Sequence, residues 1–236
     1  MIPSKTEPLH IVITGASGAL GKAVAQHFLA QGARLALLGH SAELLSDAFP
    51  GLDNSPHLLI ASDVTSAERM NESAQQIVTA FKHIDAVVHI AGGFEMGEAV
   101  HELSRAAWDR MMDLNAWSFV AVTQALVPSM VTRGSGRIVA VTAKSASRGA
   151  AQMSAYIASK SALQRLVESM AAELAPHGLV VNSIAPSVLD TPANRQSMPD
   201  ANPSDWVSTV VAAETIGFLV SGGSAALHGQ HLTLDA

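Results

Sequence analysis

Cysteine is absent from this 236-residue chain, which excludes disulfides, thiol nucleophiles and thiolate-held metals. Tyrosine is represented once, at Tyr156, and lysine five times. Charged residues make up only 14% of the chain and the formal net charge is −6, so the sequence offers no footprint for nucleic acid or an anionic membrane. The ten histidines are scattered without an HxxxH spacing, and no metal is expected. No apolar run reads as long enough to span a bilayer, and the stretch Met1–Glu7 lacks an apolar leader segment. A cytoplasmic location is therefore expected. Apolar residues, by contrast, reach 48%, enough for a large packed core.

Those apolar residues fall in short continuous runs that alternate with amphipathic stretches. Strands are expected at Leu9–Thr14, Arg34–Leu38, His57–Ala61, Ile84–Ile90, Arg137–Thr142, Leu179–Ile184 and Gln230–Leu234. Helices are expected near Ala19–Gln31, Ala42–Ala48, Ser66–Lys82, Arg105–Thr132, Ser154–Ala175 and Ser204–Val220. Continuous apolar strands are those covered by helices on both faces. The pattern predicts an α/β fold: a doubly wound, parallel, Rossmann-type sheet of about seven strands in a single domain spanning residues 1–236. The polar, proline-containing stretch 186–205 reads as one long irregular loop over a substrate or cofactor site.

The first strand runs into Thr14-Gly15-Ala16-Ser17-Gly18-Ala19-Leu20-Gly21 and then a helix. Glycines in that position allow a tight turn, close backbone approach to a pyrophosphate, and close packing of helix on strand. The helix N-terminus adds free N–H groups and a positive dipole end. A dinucleotide is therefore expected here. An acid after the second strand would select NAD through the ribose 2′-hydroxyl, and a cation NADP through the 2′-phosphate. The chain reads Leu38-Gly39-His40-Ser41, with neither acid nor arginine; His40 and Ser41 incline the reading towards NADP, with NAD the alternative.

Tyr156 and Lys160 lie one helical turn apart and share a face. A cation near a phenol favours the phenolate, so the pair could donate and accept a proton near neutral pH.

Taken in order, these segments resemble the short-chain dehydrogenase/reductase family over essentially the whole chain. The matching elements are Gly15–Gly21, Asp63-Val64, Ala91-Gly92-Gly93, Asn115, Tyr156 with Lys160, and Pro186 with Thr191. The resemblance implies a nicotinamide-dependent oxidoreductase acting on a small molecule and assembling as a homodimer or homotetramer. It implies catalytic roles for Tyr156, Lys160 and Asn115, the last anchoring a water in a proton relay. It also implies cofactor contacts from Gly15, Ser17, Gly18, Ala19, Leu20, Gly21, His40, Asp63, Val64, Ala91, Gly92, Gly93, Tyr156, Lys160, Pro186, Val188 and Thr191.

The chain departs from the family pattern in several places. The glycines are spaced GxxGxxG, His89-Ile90 stands for the usual Asn-Asn, and Ser187 follows Pro186. The serine carried thirteen residues before the tyrosine is Ala143. With Lys144 and the segment Leu189–Pro199, that alanine resembles the quinonoid dihydropteridine reductases, whose preactivated C=N acceptor needs no oxyanion donor. Ser145, Ser147 and Thr142 are expected to be ordinary loop and strand hydroxyls, and Lys144 an exposed loop lysine. The alternatives are a general carbonyl reductase or alcohol dehydrogenase, with Ser145 or a water replacing the lost hydroxyl, and a non-catalytic NAD(P)-binding regulator.

Overall fold

The structure is a computed structural model in which residues 7–52 and 55–236 are described. Residues 1–6, most of the segment read above as lacking a leader, lie outside them. The apolar runs become strands and the amphipathic stretches helices. In chain order these are β1 (His10–Thr14), α1 (Ala19–Ala30), β2 (Arg34–Gly39), α2 (Ala42–Ala48), β3 (Leu58–Ala61) and α3 (Ala67–Phe81). There follow β4 (Ala86–His89), α4 (Arg105–Met112), α5 (Ser118–Arg133), β5 (Gly136–Val141), α6 (Ser154–Leu174) and β6 (Leu179–Pro186). The chain ends with β7 (Leu189–Asp190), α7 (Pro192–Ser197), β8 (Val207–Ser208), α8 (Thr209–Val220) and β9 (His231–Leu234). Seven strands pair in parallel in the order β3-β2-β1-β4-β5-β6-β9. The order reverses between β1 and β4, and in such sheets the crevice beyond the carboxyl ends of those strands is where ligands bind.

Alternate strand residues feed two cores. Val12, Leu38, Ile60, Val87, Ile138 and Val181 pack with Phe81, Phe119, Leu126 and Leu163 of α3, α5 and α6. Ile11, Ile13, Leu35, Leu37, Val88, Val139 and Ile184 pack on the other face with Val24, Phe28, Ile216 and Leu219 of α1 and α8. Each such side chain contributes about 1.5–3 kcal/mol by leaving water, enough to fix the strand register and hold the crevice rigid.

Three expectations are corrected. The helix expected over Arg105–Thr132 is interrupted by a π turn, Asp113–Trp117, between α4 and α5. Stretch 186–205 is not one irregular loop: it holds β7 and α7, and β7 pairs in parallel with β8. The helix expected from Ser204 begins only at Thr209, because Val207–Ser208 is taken up by that pairing. The segment Arg105–Arg133 is also long and apolar enough, by length and composition alone, to cross a membrane. More than half of its apolar window is buried in the protein, where Phe119, Val122, Leu126 and Met130 fill the core under the sheet.

Candidate functional site

The glycine turn separates packing from ligand space. A Cβ on Gly15, whose φ is +66°, would sit 2.8 Å from the Ala91 nitrogen; one on Gly21 would sit 2.2 Å from the Gly15 carbonyl oxygen. Both positions are closed by the protein itself. A Cβ on Gly18 would meet only the Gly15 oxygen, at 3.4 Å. Gly18 and Ala19 are exposed, and Gly18 caps α1 with no side-chain hydrogen bond, so the first-turn N–H groups face outward. That is the geometry of an anion cradle. Leu20 differs from its neighbours: its side chain is buried in the core and only its backbone borders the turn.

At the far end of β1 and β2, His40 is exposed while Ser41 accepts from the Leu44 N–H and caps α2. The Asp63 carboxylate accepts from the Thr65 N–H at 2.9 Å and the Thr65 hydroxyl at 2.7 Å, which holds its pKa below the usual carboxylate range. Val64 beside it packs into the core.

At the centre, the π turn aims Asn115 into the protein, where it is fully buried. Its Oδ1 accepts from Gly93 N at 2.9 Å, while Nδ2 donates to Gly93 O at 3.0 Å and to Ser159 Oγ at 3.1 Å. Asn115 is thus a brace between the Ala91–Gly93 loop and α6. A Cβ at Gly92 would lie 2.7 Å from Asn115 Oδ1 and 3.0 Å from Lys160 Nζ, so these three groups meet at one point. Lys160 is buried, donates to Val141 O at 3.0 Å, and has its pKa lowered by burial to about 8.

Tyr156 lies one turn earlier on α6, its ring meeting Phe94 edge-on at 4.9 Å between centroids. Burial raises the phenol pKa, and the nearby Ser145 hydroxyl opposes that rise. The expectation that Lys160 would draw the phenol towards phenolate is therefore corrected. Ser145, expected to be an ordinary loop hydroxyl, lies close enough to the phenol to influence it. The turn Lys144–Ser147 brings Ser145 near the phenol, whereas Ser147 bonds back to Lys144 O and Thr142 to Ile184 O. The Ala143 side chain is buried beside this turn. Lys144 is exposed, as expected, and pairs with Asp235 at 2.6 Å.

At the nicotinamide end expected from the sequence, Pro186 closes β6 opposite Leu234, Val188 O accepts from Val207 N, and Thr191 Oγ1 accepts from Asn194 N to cap α7. The strand ends therefore gather the glycine turn, Ala91–Gly93, Asn115, Tyr156 and Lys160 around one crevice, with Asp63 and His40 at its outer end. Sequence reasoning passed over one neighbour of the tyrosine. Phe94 directly follows the Ala-Gly-Gly run and is 58% exposed, so its position was a signal. Ser145 was considered but given no contact.

Other chains resemble this one in sequence and in fold. A family model described as short chain dehydrogenase matches residues 9–202. An uncharacterized oxidoreductase of Staphylococcus epidermidis is 32% identical over 181 residues, covering 77% of this chain and 78% of that protein. The crystal structure of levodione reductase superposes with a TM-score of 0.88 at 24% identity, covering 96% of each chain. That of NAD+-bound xylitol dehydrogenase does so with a TM-score of 0.87 at 24% identity, covering 96% of this chain and 97% of that one. At such identity the two structures speak for the fold. The chain itself belongs to the short-chain dehydrogenase family, whose members are oxidoreductases dependent on a nicotinamide cofactor.

Proposed function

We propose that this protein reduces carbonyl groups of small molecules, or oxidises the corresponding alcohols, and that Ser145 does the work of the serine missing at Ala143. The observation that carries this reading is the position of Ser145, near enough to the Tyr156 phenol for its hydroxyl to oppose the rise in the phenol pKa. Carbonyl reduction develops negative charge on oxygen, and a hydroxyl beside the proton donor stabilises it. Because burial raises its pKa, Tyr156 holds its proton through the neutral range and can deliver it to that oxygen. Phe94, set against the phenol, offers an apolar wall for the acceptor.

A nicotinamide dinucleotide fits the residues present. The open space at Gly18 and the uncapped start of α1 suit its pyrophosphate, Asp63 and Val64 border the adenine end, and Ala91–Gly93 follow the ribose. Lys160 and Tyr156 take the nicotinamide ribose, and Pro186, Val188 and Thr191, with stretch 186–205, its nicotinamide end. When bound, the reduced cofactor supplies a hydride. With His40 exposed and no acid beside it, NADP is the preferred form. Asn115, through Gly93 and Ser159, fixes the loop against α6 and anchors the proton relay. A cytoplasmic homodimer or homotetramer belongs to the same proposal.

The second reading is reduction of a quinonoid dihydropterin, favoured by the buried Ala143 methyl where most members have a hydroxyl. Cofactor oxidation measured in parallel with a diketone, a quinonoid dihydropterin and no acceptor separates the two. Faster turnover of the diketone supports the first reading, faster turnover of the pterin the second, and cofactor binding without any turnover would leave only a regulatory nucleotide-binding role.

A further inference from the structure

His89, the last residue of β4, has no solvent exposure and stands where the family pattern has asparagine. Its two ring nitrogens contact hydroxyls on opposite sides. Nδ1 lies 3.1 Å from Thr14 Oγ1, and Nε2 lies 3.2 Å from Ser118 Oγ. The hydrogen positions follow from counting. Thr14 Oγ1 already accepts from the N–H groups of Ile90 and Ala91, both at 3.2 Å, so its own hydrogen goes to His89 Nδ1. Ser118 has Leu114 O at 2.7 Å, and a carbonyl oxygen only accepts, so the serine hydrogen is committed there. Ser118 Oγ must therefore accept from His89 Nε2–H. Both ends assign the same neutral tautomer independently.

The result is a directed chain: Thr14 O–H to His89 Nδ1, His89 Nε2–H to Ser118 Oγ, Ser118 O–H to Leu114 O. Its two ends are the parts of the crevice that have to stay in register. Thr14 precedes the glycine turn and holds the start of the Ala91–Gly93 loop. Leu114 lies in the π turn directly before Asn115, and its side chain is what a Cβ on Gly93 would strike, at 2.6 Å.

We propose that His89 is a positioning residue: as the Nε2–H tautomer it ties the end of β1 to the π turn and so sets the spacing between the Ala91–Gly93 loop and Asn115. This rests on the reading of that loop and Asn115 as parts of the catalytic crevice. Burial and the nearby Lys160 charge hold the ring neutral, as the chain requires. A protonated ring would present a second N–H to a threonine oxygen with no free lone pair. The T-shaped contact with Phe119, 5.5 Å between centroids, locks the ring plane in the core.

The tautomer is tested without any catalysis. Imidazole nitrogen-15 spectra of the wild-type protein, with the His89 signal assigned by its loss in His89→Leu, should show a neutral Nε2–H ring that does not change between pH 8 and pH 5. An Nδ1–H ring, or titration near pH 6.5, would overturn the assignment whatever the enzyme's substrate. Positioning is tested by a coupling cycle of Thr14→Val and Ser118→Ala, two residues joined through His89. Their effects on kcat at saturating cofactor and acceptor should be non-additive by about tenfold in wild type and additive in the His89→Leu background. Substrate KM should change little, and His89→Asn, which keeps an acceptor for Thr14, should recover part of kcat. If the single variants lower only thermal stability, with kcat per folded molecule unchanged, His89 is structural and the positioning role fails. If the wild type turns over no acceptor, the same cycle is read in the dissociation constant of NADPH, so failure of the functional reading stays separate from failure of this one.

Discussion

The Lys160 ammonium donates to the carbonyl oxygen of Val141 across 3.0 Å, at the end of β5, beside the point where Gly92 and Asn115 meet. The lysine is thus held by the sheet, and its buried charge is costly enough to bring its pKa to about 8. The charged form dominates below that pH and is lost as pH rises through it. If the charge holds the cofactor ribose, the dissociation constant of NADPH, followed by fluorescence, should be flat from pH 6 to 7.5. It should weaken above about 8, approaching tenfold per pH unit. Tyr156→Phe should retain this limb, because the phenol titrates higher. A constant affinity to pH 9.5, or a limb that disappears with the phenol, would refute the assignment to Lys160.

Ser145 and Ala143 make opposite predictions for one reaction. Ser145→Ala should slow ketone reduction by about 10²–10³-fold, the scale of one lost oxyanion donor, with cofactor affinity unchanged. Ala143→Ser should change it little, because the donor is already present and the alanine methyl is only 6% exposed. Should Ala143→Ser instead raise ketone turnover about a hundredfold while Ser145→Ala does nothing, the hydroxyl is truly missing and the quinonoid reading gains.

Gly18 and Gly21 look alike in the motif and differ in physical role. Gly21→Ala forces a methyl against the Gly15 carbonyl and should unfold the turn, costing at least about 3 kcal/mol. Gly18→Val has room and a φ of −72°, so its denaturant midpoint should stay near wild type. NADPH binding should weaken tenfold or more, because the side chain takes the space of the pyrophosphate. Unchanged binding in a folded Gly18→Val would remove the cradle from the site.

Gly39→Asp places a carboxylate where NAD-selective chains carry one, and NADH should then outcompete NADPH. A Cβ there lies 3.0 Å from the Leu45 side chain and 3.3 Å from Ser17 Oγ, so a stability loss of about 1 kcal/mol should accompany the switch. Competitive titration of both cofactors checks this. A wild type that already prefers NADH tenfold would show that His40 and Ser41 were misread.

How far the sequence could take these assignments depended on the range of the forces involved. Continuous runs such as Ile11–Ile13 and Leu35–Leu38 announce buried parallel strands because burial on both faces dictates every residue. The π turn at Asp113–Trp117 was hidden, since inserting one residue into a helix leaves the apolar composition of Arg105–Arg133 unaltered. Only the buried Asn115 betrays it. Likewise Tyr156 and Lys160 were found by their i, i+4 spacing, but that spacing says nothing of Val141 or Ser145, which arrive from β5 and the turn after it. The stretch 186–205 read as a loop because its prolines and polar residues obscure a two-residue strand that pairs with Val207–Ser208.

Acid stability gives a final test centred on His89. Burial lowers its pKa from 6.5 to about 3 in the folded protein. Between those values the unfolded chain binds one proton more, so this residue makes stability fall as pH drops from 6.5, with the loss complete near pH 3. The slope is about 1.4 kcal/mol per pH unit well inside that window. His10, His57 and His231 are lowered by burial too and add slopes of the same sign, so the wild-type curve alone is not diagnostic. The difference between wild type and His89→Asn is diagnostic. Unfolding free energies from urea titrations should converge by roughly 2 kcal/mol between pH 6 and 4.5, the variant losing less. Parallel curves would mean that His89 takes up its proton inside the fold, and the directed chain from Thr14 to Leu114 would then have to be redrawn.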